Sequence, residues 1–205
     1  VEVDVVLIAV GRAPVTDGVG LEAAGIQTER GFVPVNLETM QTSVSNIYAV
    51  GDIVAGTPQL AHVAFAEAIA AVTHIATGAN AAVDYRAIPM IVYTHPEAAS
   101  VGLTEAEAIA KGYDVDVTSH GMRGVGRAII HGETGGAVKI VAEKDGPILG
   151  ATVVDPIAGE IIHELMYAVG WEALPDEAAA FIHAHPTISE GIGETLLAAA
   201  GRPLH

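Results

Sequence analysis

The 205-residue chain has no cysteine, only nine Lys plus Arg against 25 Asp plus Glu, and few aromatic residues (4%). Each scarcity excludes something. Without cysteine there is no disulfide scaffold and no Cys-based zinc site, a composition compatible with a reducing cytosol. A formal net charge of −16 repels phosphate, so nucleic acid and anionic membrane surfaces are not expected as partners. No apolar run approaches the roughly 18 residues that span a bilayer, and no basic, apolar, cleavable signal opens the chain. What is abundant is apolar and small: 51% of residues are hydrophobic and 23 are glycine. That rules against disorder and favours close packing of helices, and of backbone against a ligand.

The chain opens on Val3-Asp4-Val5-Val6-Leu7-Ile8-Ala9-Val10, nearly continuous in β-branched and aliphatic residues. This predicts a strand buried on both faces, ended by the Gly11-Arg12-Ala13-Pro14 turn. Neither a cap nor a turn precedes it, so further sequence upstream is expected. Residues 31–35 and 46–50 predict short strands, and Ala61 to Thr77 a buried helix stopped by Gly78. The small-residue stretch from Gly78 to Ala82 is the candidate domain boundary. Beyond it the pattern predicts an α+β domain. Strands are expected at 89–93, 113–118, 137–142 and 147–154, the last two forming a hairpin around Lys144-Asp145-Gly146. Thr104-Glu105-Ala106-Glu107 is a capping box. Helices are expected at 158–169, from Pro175-Asp176, and from Ser189 to Ala200.

The stretch richest in chemistry is His183-Ala184-His185-Pro186-Thr187-Ile188-Ser189-Glu190. A Glu that holds one nitrogen of an imidazole fixes its tautomer and favours proton transfer near neutral pH. On pattern alone Thr187 and Glu190 read equally as a helix cap, with the Glu reaching back to the Thr187 amide. A zinc site through His183 and His185 lacks a third ligand at a usual spacing. A Gly-Asp pair such as Gly51-Asp52 at a strand end can hold a ribose or polyol, although alone it marks only a turn. Gln59-Leu60-Ala61-His62 opens a helix, whose N-terminal amides and dipole favour negative charge.

Taken in order, these strings resemble the dihydrolipoamide dehydrogenase family of flavin-dependent disulfide oxidoreductases. The resemblance rests on Ala9-Val10-Gly11-Arg12-Ala13-Pro14, Tyr48-Ala49-Val50-Gly51-Asp52, Gln59 to His62, Ile91-Val92-Tyr93-Thr94-His95-Pro96-Glu97 and the His183 to Glu190 octapeptide. It implies a chain of α/β and α+β class: residues 1–13 as the last strand of an NAD-binding domain, 14–82 as the end of an FAD-binding and central region, and 83–205 as an interface domain whose mostly antiparallel sheet is covered by helices. It implies His185 as proton acceptor, Glu190 as its orienting carboxylate, and a cis His185–Pro186 bond. For the cofactors, FAD and NAD, it implies contacts at Gly11, Gly51, Asp52 and the backbone of Gln59, Leu60, Ala61 and His62. His183 and His95 carry no catalytic role by resemblance, and no metal is expected. A homodimer is implied, with a lipoyl-bearing acyltransferase or carrier protein of a 2-oxoacid dehydrogenase complex as partner, in the bacterial cytoplasm or alternatively the mitochondrial matrix.

The pattern also departs from the family. Neither a Gly-x-Gly-x-x-Gly fingerprint nor a Cys-x4-Cys pair is present, and the Ile53 to Pro58 loop is slightly longer. A catalytically inert dimerisation module therefore stays open as an alternative, as does the same part of a glutathione or mercuric reductase.

Overall fold

The computed structural model describes residues 1–204, in two compact units that divide between Val83 and Asp84.

In the first unit the expected strand at residues 3–10 does not form. Val5, Val6, Leu7, Ile8 and Val10 are all largely exposed, without regular structure. A strand exists only through its partners, and among the described residues no segment pairs with this one. Residues 31–35 and 46–50 likewise form no ladder. They contribute isolated bridges, Val33 with Val54 in parallel and Gln41 with Tyr48 antiparallel. Ile26, Val33, Ala49 and Val54 gather into a small core beneath them. A single 3-10 turn, Gly51–Ile53, leads toward helix α1, Ala61–Thr77, which Gly78 ends in the left-handed conformation.

The expectation that α1 is buried is only half met. Val63, Glu67, Ala70 and Ala71 face inward, whereas Phe65, Ile69, Val72 and Ile75 are exposed. The helix is apolar around most of its circumference, and this unit supplies packing for one face.

The second unit is built on five antiparallel strands: β1 Met90–Val92, β2 Glu97–Gly102, β3 Val115–Gly121, β4 Ala137–Glu143 and β5 Ile148–Asp155. Their order across the sheet is β1-β2-β5-β4-β3. The β4–β5 hairpin turns at the Asp-Gly pair: Asp145 takes a positive φ of 56° and the Gly146 amide donates to the Glu143 carbonyl. Val138 pairs with Val153 and Ile140 with Ala151, so these four side chains share one face.

Helix α4, Ala158–Gly170, packs over β2 and β5, and helix α6, Glu190–Ala199, over β3 and β4. Their Ile161, Ile162, Leu165, Ile192 and Leu196 close the core with Met122 and Val125. Each fully buried aliphatic side chain contributes about 1.5–3 kcal/mol, so this core holds α4 and α6 in place. Helix α2, Glu105–Ala110, starts with the expected reciprocal cap between Thr104 and Glu107, and its Glu105 meets Lys139 of β4 at 2.6 Å. Two short helices, α3 at Gly126–His131 and α5 at Pro175–Ala178, complete the unit.

Candidate active site

His185 lies in the connection from α5 to α6. The backbone turns there through a cis His185–Pro186 bond, in agreement with the resemblance. The connection is pinned downstream by Ile188, which is buried in the core, and internally by the Thr187 hydroxyl, which donates to the Ala184 carbonyl at 2.7 Å. Between these anchors the His185 side chain is 77% exposed.

Glu190, the first residue of α6, uses its two carboxylate oxygens separately. Oε2 accepts the Thr187 amide at 2.8 Å, and Oε1 lies 2.8 Å from His185 Nδ1. The cap-like contact and the imidazole contact are thus both made, one by each oxygen. The other half of a capping box is absent, because the Thr187 hydroxyl turns to Ala184.

These contacts hold the Glu190 carboxyl below the usual carboxylate range, the Thr187 amide being the larger cause and the His185 hydrogen bond adding to it. An ionised carboxylate only accepts, so His185 Nδ1 must be the donor. In the neutral ring Nε2 then carries the lone pair. No protein hydrogen bond engages Nε2 among the described residues. Such an imidazole is set to take a proton from outside the protein.

The neighbouring histidine is arranged differently. His183 Nε2 sits 2.6 Å from Glu164 Oε1 of α4, and its side chain is only 14% exposed. The Glu164 hydrogen bond, with smaller help from the Phe181 backbone, pushes the His183 imidazole above its ordinary value. His95 meets Glu133 at 3.4 Å on the surface. Among the described residues no cluster of His, Asp and Glu suited to a metal is found.

The expected cofactor contacts lie in the first unit, and the structure brings most of them together. Asp52 is exposed within the 3-10 turn, and the Gln59 side chain donates to the Asp52 carbonyl at 3.1 Å. Arg12, directly after Gly11, donates to the Gln59 carbonyl and lies 3.8 Å from the Asp52 carboxylate. Gly11 itself is exposed, with a φ of 147°. Gln59 and Leu60 precede α1, while Ala61 and His62 form its exposed first residues, with no side-chain cap at the helix N-terminus. Gly51 has a positive φ of 78°, and a Cβ there would approach Ala64 to 3.2 Å. Its amide donates to the fully buried Glu67 at 2.6 Å. Three contributors escaped the sequence reading: Arg12, Glu67 and Glu164. Only Arg12 had a signal, its place in the Gly11-Arg12 turn.

Two family models cover most of the chain. The pyridine nucleotide-disulphide oxidoreductase dimerisation domain matches residues 88–196, and the pyridine nucleotide-disulphide oxidoreductase model matches residues 1–68. The chain belongs to the pyridine nucleotide-disulphide oxidoreductase family.

Relatives within this oxidoreductase family include the dihydrolipoyl dehydrogenase of Bacillus subtilis, 44% identical over 97% of this chain and 42% of that protein. The mitochondrial dihydrolipoyl dehydrogenase 2 of Arabidopsis thaliana is 41% identical over 100% of this chain and 40% of that protein. Among solved structures, LpdA from Mycobacterium tuberculosis superposes with a TM-score of 0.81 at 31% identity, covering 90% of this chain and 40% of that one. The HOCl-induced flavoprotein disulfide reductase RclA of Escherichia coli does so with a TM-score of 0.82 at 26% identity, covering 92% and 43%. The chain therefore spans about two-fifths of the length of these relatives. Its relatives include bacterial and mitochondrial proteins, and no helix among its described residues is long and apolar enough to cross a membrane.

Proposed function

We propose that this chain is the C-terminal part of a dihydrolipoyl dehydrogenase. Residues 1–13 would close an NAD-binding domain, 14–82 end an FAD-binding and central region, and 83–205 form the dimerisation domain of a homodimer. The reaction is oxidation of a protein-bound dihydrolipoyl group to the cyclic lipoyl disulfide. Two electrons and one proton pass to NAD+ as hydride, and one proton is released. The single observation that carries the reading is the His185–Glu190 arrangement, which leaves a lone pair on Nε2 at an exposed position.

His185 takes the proton from a dihydrolipoyl thiol at Nε2, because the thiolate and not the thiol is the nucleophile. Glu190 holds the ring in the tautomer that permits this and stabilises the imidazolium that results. The Thr187 amide keeps that carboxylate ionised and in place. The cysteine pair that would exchange with the substrate is not in this sequence, and on this proposal another part of the whole protein would supply it.

The first unit fits a flavin. Asp52 offers an exposed carboxylate to a ribityl chain, and the buried Gly51 beside it is held by Glu67. Gln59, Leu60, Ala61 and His62 lead into an uncapped helix start. FAD, when bound, supplies the two-electron relay between the disulfide and NAD+. Gly11 belongs to the nucleotide side of that arrangement. A lipoyl-bearing acyltransferase or carrier protein, in the cytoplasm of a bacterium, completes the proposal.

The absence of cysteine also supports a second reading, in which the whole protein has lost its redox centre and the chain serves as an inert dimerisation module. Steady-state assay of the whole protein with free dihydrolipoamide and NAD+, beside glutathione disulfide and NADPH, separates the readings. Turnover with the first pair alone is expected. Turnover with the second pair, or with neither, would overturn the assignment.

A further inference from the structure

His183 and His185 are two residues apart in sequence and opposite in setting. His185 is exposed, whereas the His183 ring is enclosed between α4 and α6. On one side Nε2 meets Glu164 Oε1 at 2.6 Å. On the other the ring lies against the α6 backbone: a Cβ built on Gly193 would come within 2.6 Å of Nδ1 and 3.0 Å of Cε1. Only glycine leaves room for the ring at that level of the helix. Gly193 is three residues after Glu190, so His183 touches α6 one turn beyond the carboxylate that orients His185.

The ends of the exposed stretch are equally informative. Phe181 and Ile182, just before His183, are 77% and 99% exposed. The first firm anchor upstream of His185 is therefore His183, and those downstream are the Thr187 amide held by Glu190 and the buried Ile188. A contact between an imidazolium and a carboxylate is roughly twice as strong as a neutral hydrogen bond. It is also directional, unlike the apolar packing at Ile188.

We propose that Glu164 and His183 form a second carboxylate–imidazole pair whose role is to position the first, fixing both the backbone that carries His185 and the turn of α6 that carries Glu190. His183 is thus a positioning residue and touches no substrate. Glu164 ties the site to α4, whose Ile162 and Leu165 are fully buried in the core. A displacement of about 1 Å at a reacting group can cost about 10²-fold in rate, so an anchor two residues away governs catalysis without joining it. The consequence for turnover rests on the function proposed above; the positioning itself does not.

The test reads the His185 ring directly, by long-range ¹⁵N–¹H correlation spectra of the 205-residue chain at a pH where that ring is neutral. The chain is compared with His183→Ala, Glu164→Gln and Gly193→Ala, the last of which displaces the ring while keeping both partners. We expect one dominant Nδ1–H tautomer of His185 in the parent chain. In each variant that folds, the ratio of Nδ1–H to Nε2–H should fall by about 5-fold, the weight of one ordinary hydrogen bond. A merely structural role predicts a lower melting temperature with the His185 tautomer ratio unchanged in all three, and that result would overturn the proposal. Turnover of His185→Gln in the whole protein is measured in parallel. Normal turnover there would sink the functional reading and leave the positioning result standing, so the two failures are distinguishable.

Discussion

His185 Nδ1 and Glu190 Oε1 stand 2.8 Å apart, while the second oxygen of the same carboxylate holds the Thr187 amide at 2.8 Å. One residue is thus both the first residue of a helix and the orienting partner of an imidazole. The two roles support each other, since the amide keeps the carboxylate charged and the charge fixes the tautomer. Removing Glu190 should consequently do two separable things. Glu190→Gln keeps much of the geometry but loses the charge, whereas Glu190→Ala also frees the Thr187 amide and should cost about 1 kcal/mol of stability. Chemical denaturation of the three chains measures the second effect apart from catalysis.

The pH dependence of stability follows from the two imidazole–carboxylate pairs. His183 is more basic folded than unfolded, chiefly through Glu164. Its contribution is therefore complete below the ordinary histidine value of about 6.5 and fades as pH rises through the higher folded value. Glu190 is more acidic folded than unfolded, chiefly through the Thr187 amide. Its contribution is present above the ordinary glutamate value of about 4.3 and is lost as pH falls through the lower folded value. Thermal melts across this range should show a plateau between the two limbs. His183→Ala should flatten the alkaline limb and leave the acid limb unchanged.

Leu165 and Ile162 of α4 are fully buried against the sheet. Leu165→Ala should cost about 2–5 kcal/mol, measured as a shift of the urea midpoint with little change in slope. Ile182→Ala, at an almost fully exposed position, should stay within about 0.5 kcal/mol.

Flavin binding by the 205-residue chain alone should be weak or absent. The chain keeps Asp52 and the 59–62 segment but has no Gly-x-Gly-x-x-Gly fingerprint to hold a pyrophosphate. Titration with FAD followed by fluorescence quenching checks this. A yellow, stoichiometric complex with a defined absorption spectrum would contradict it.

Much of the second unit was legible in the sequence because its signals are local. The Asp145-Gly146 turn, the Thr104–Glu107 cap and the apolar face at 161, 162, 165 and 169 each carry their own physics over a few residues. Strand β2 was not legible, because Glu-Ala-Ala-Ser-Val-Gly has little β-propensity and is a strand by virtue of its neighbours β1 and β5. The reverse error occurred at residues 3–10, where strong propensity met no partner strand. In the site, His185 and Glu190 were legible through their motif. Glu164 was not, since it lies 19 residues from His183 and only tertiary packing joins them.

The central claim is that His185 accepts a proton and Glu190 orients it. The most direct test is the pH dependence of steady-state dihydrolipoamide oxidation by NAD+ in the whole protein, for the parent, His185→Gln and Glu190→Gln. The account predicts that His185→Gln lowers kcat by about 10²–10⁴-fold with the KM for NAD+ nearly unchanged, and removes the acid limb of the profile. It predicts a smaller loss and a shifted limb for Glu190→Gln. A near-normal rate with an unaltered profile for His185→Gln would contradict it.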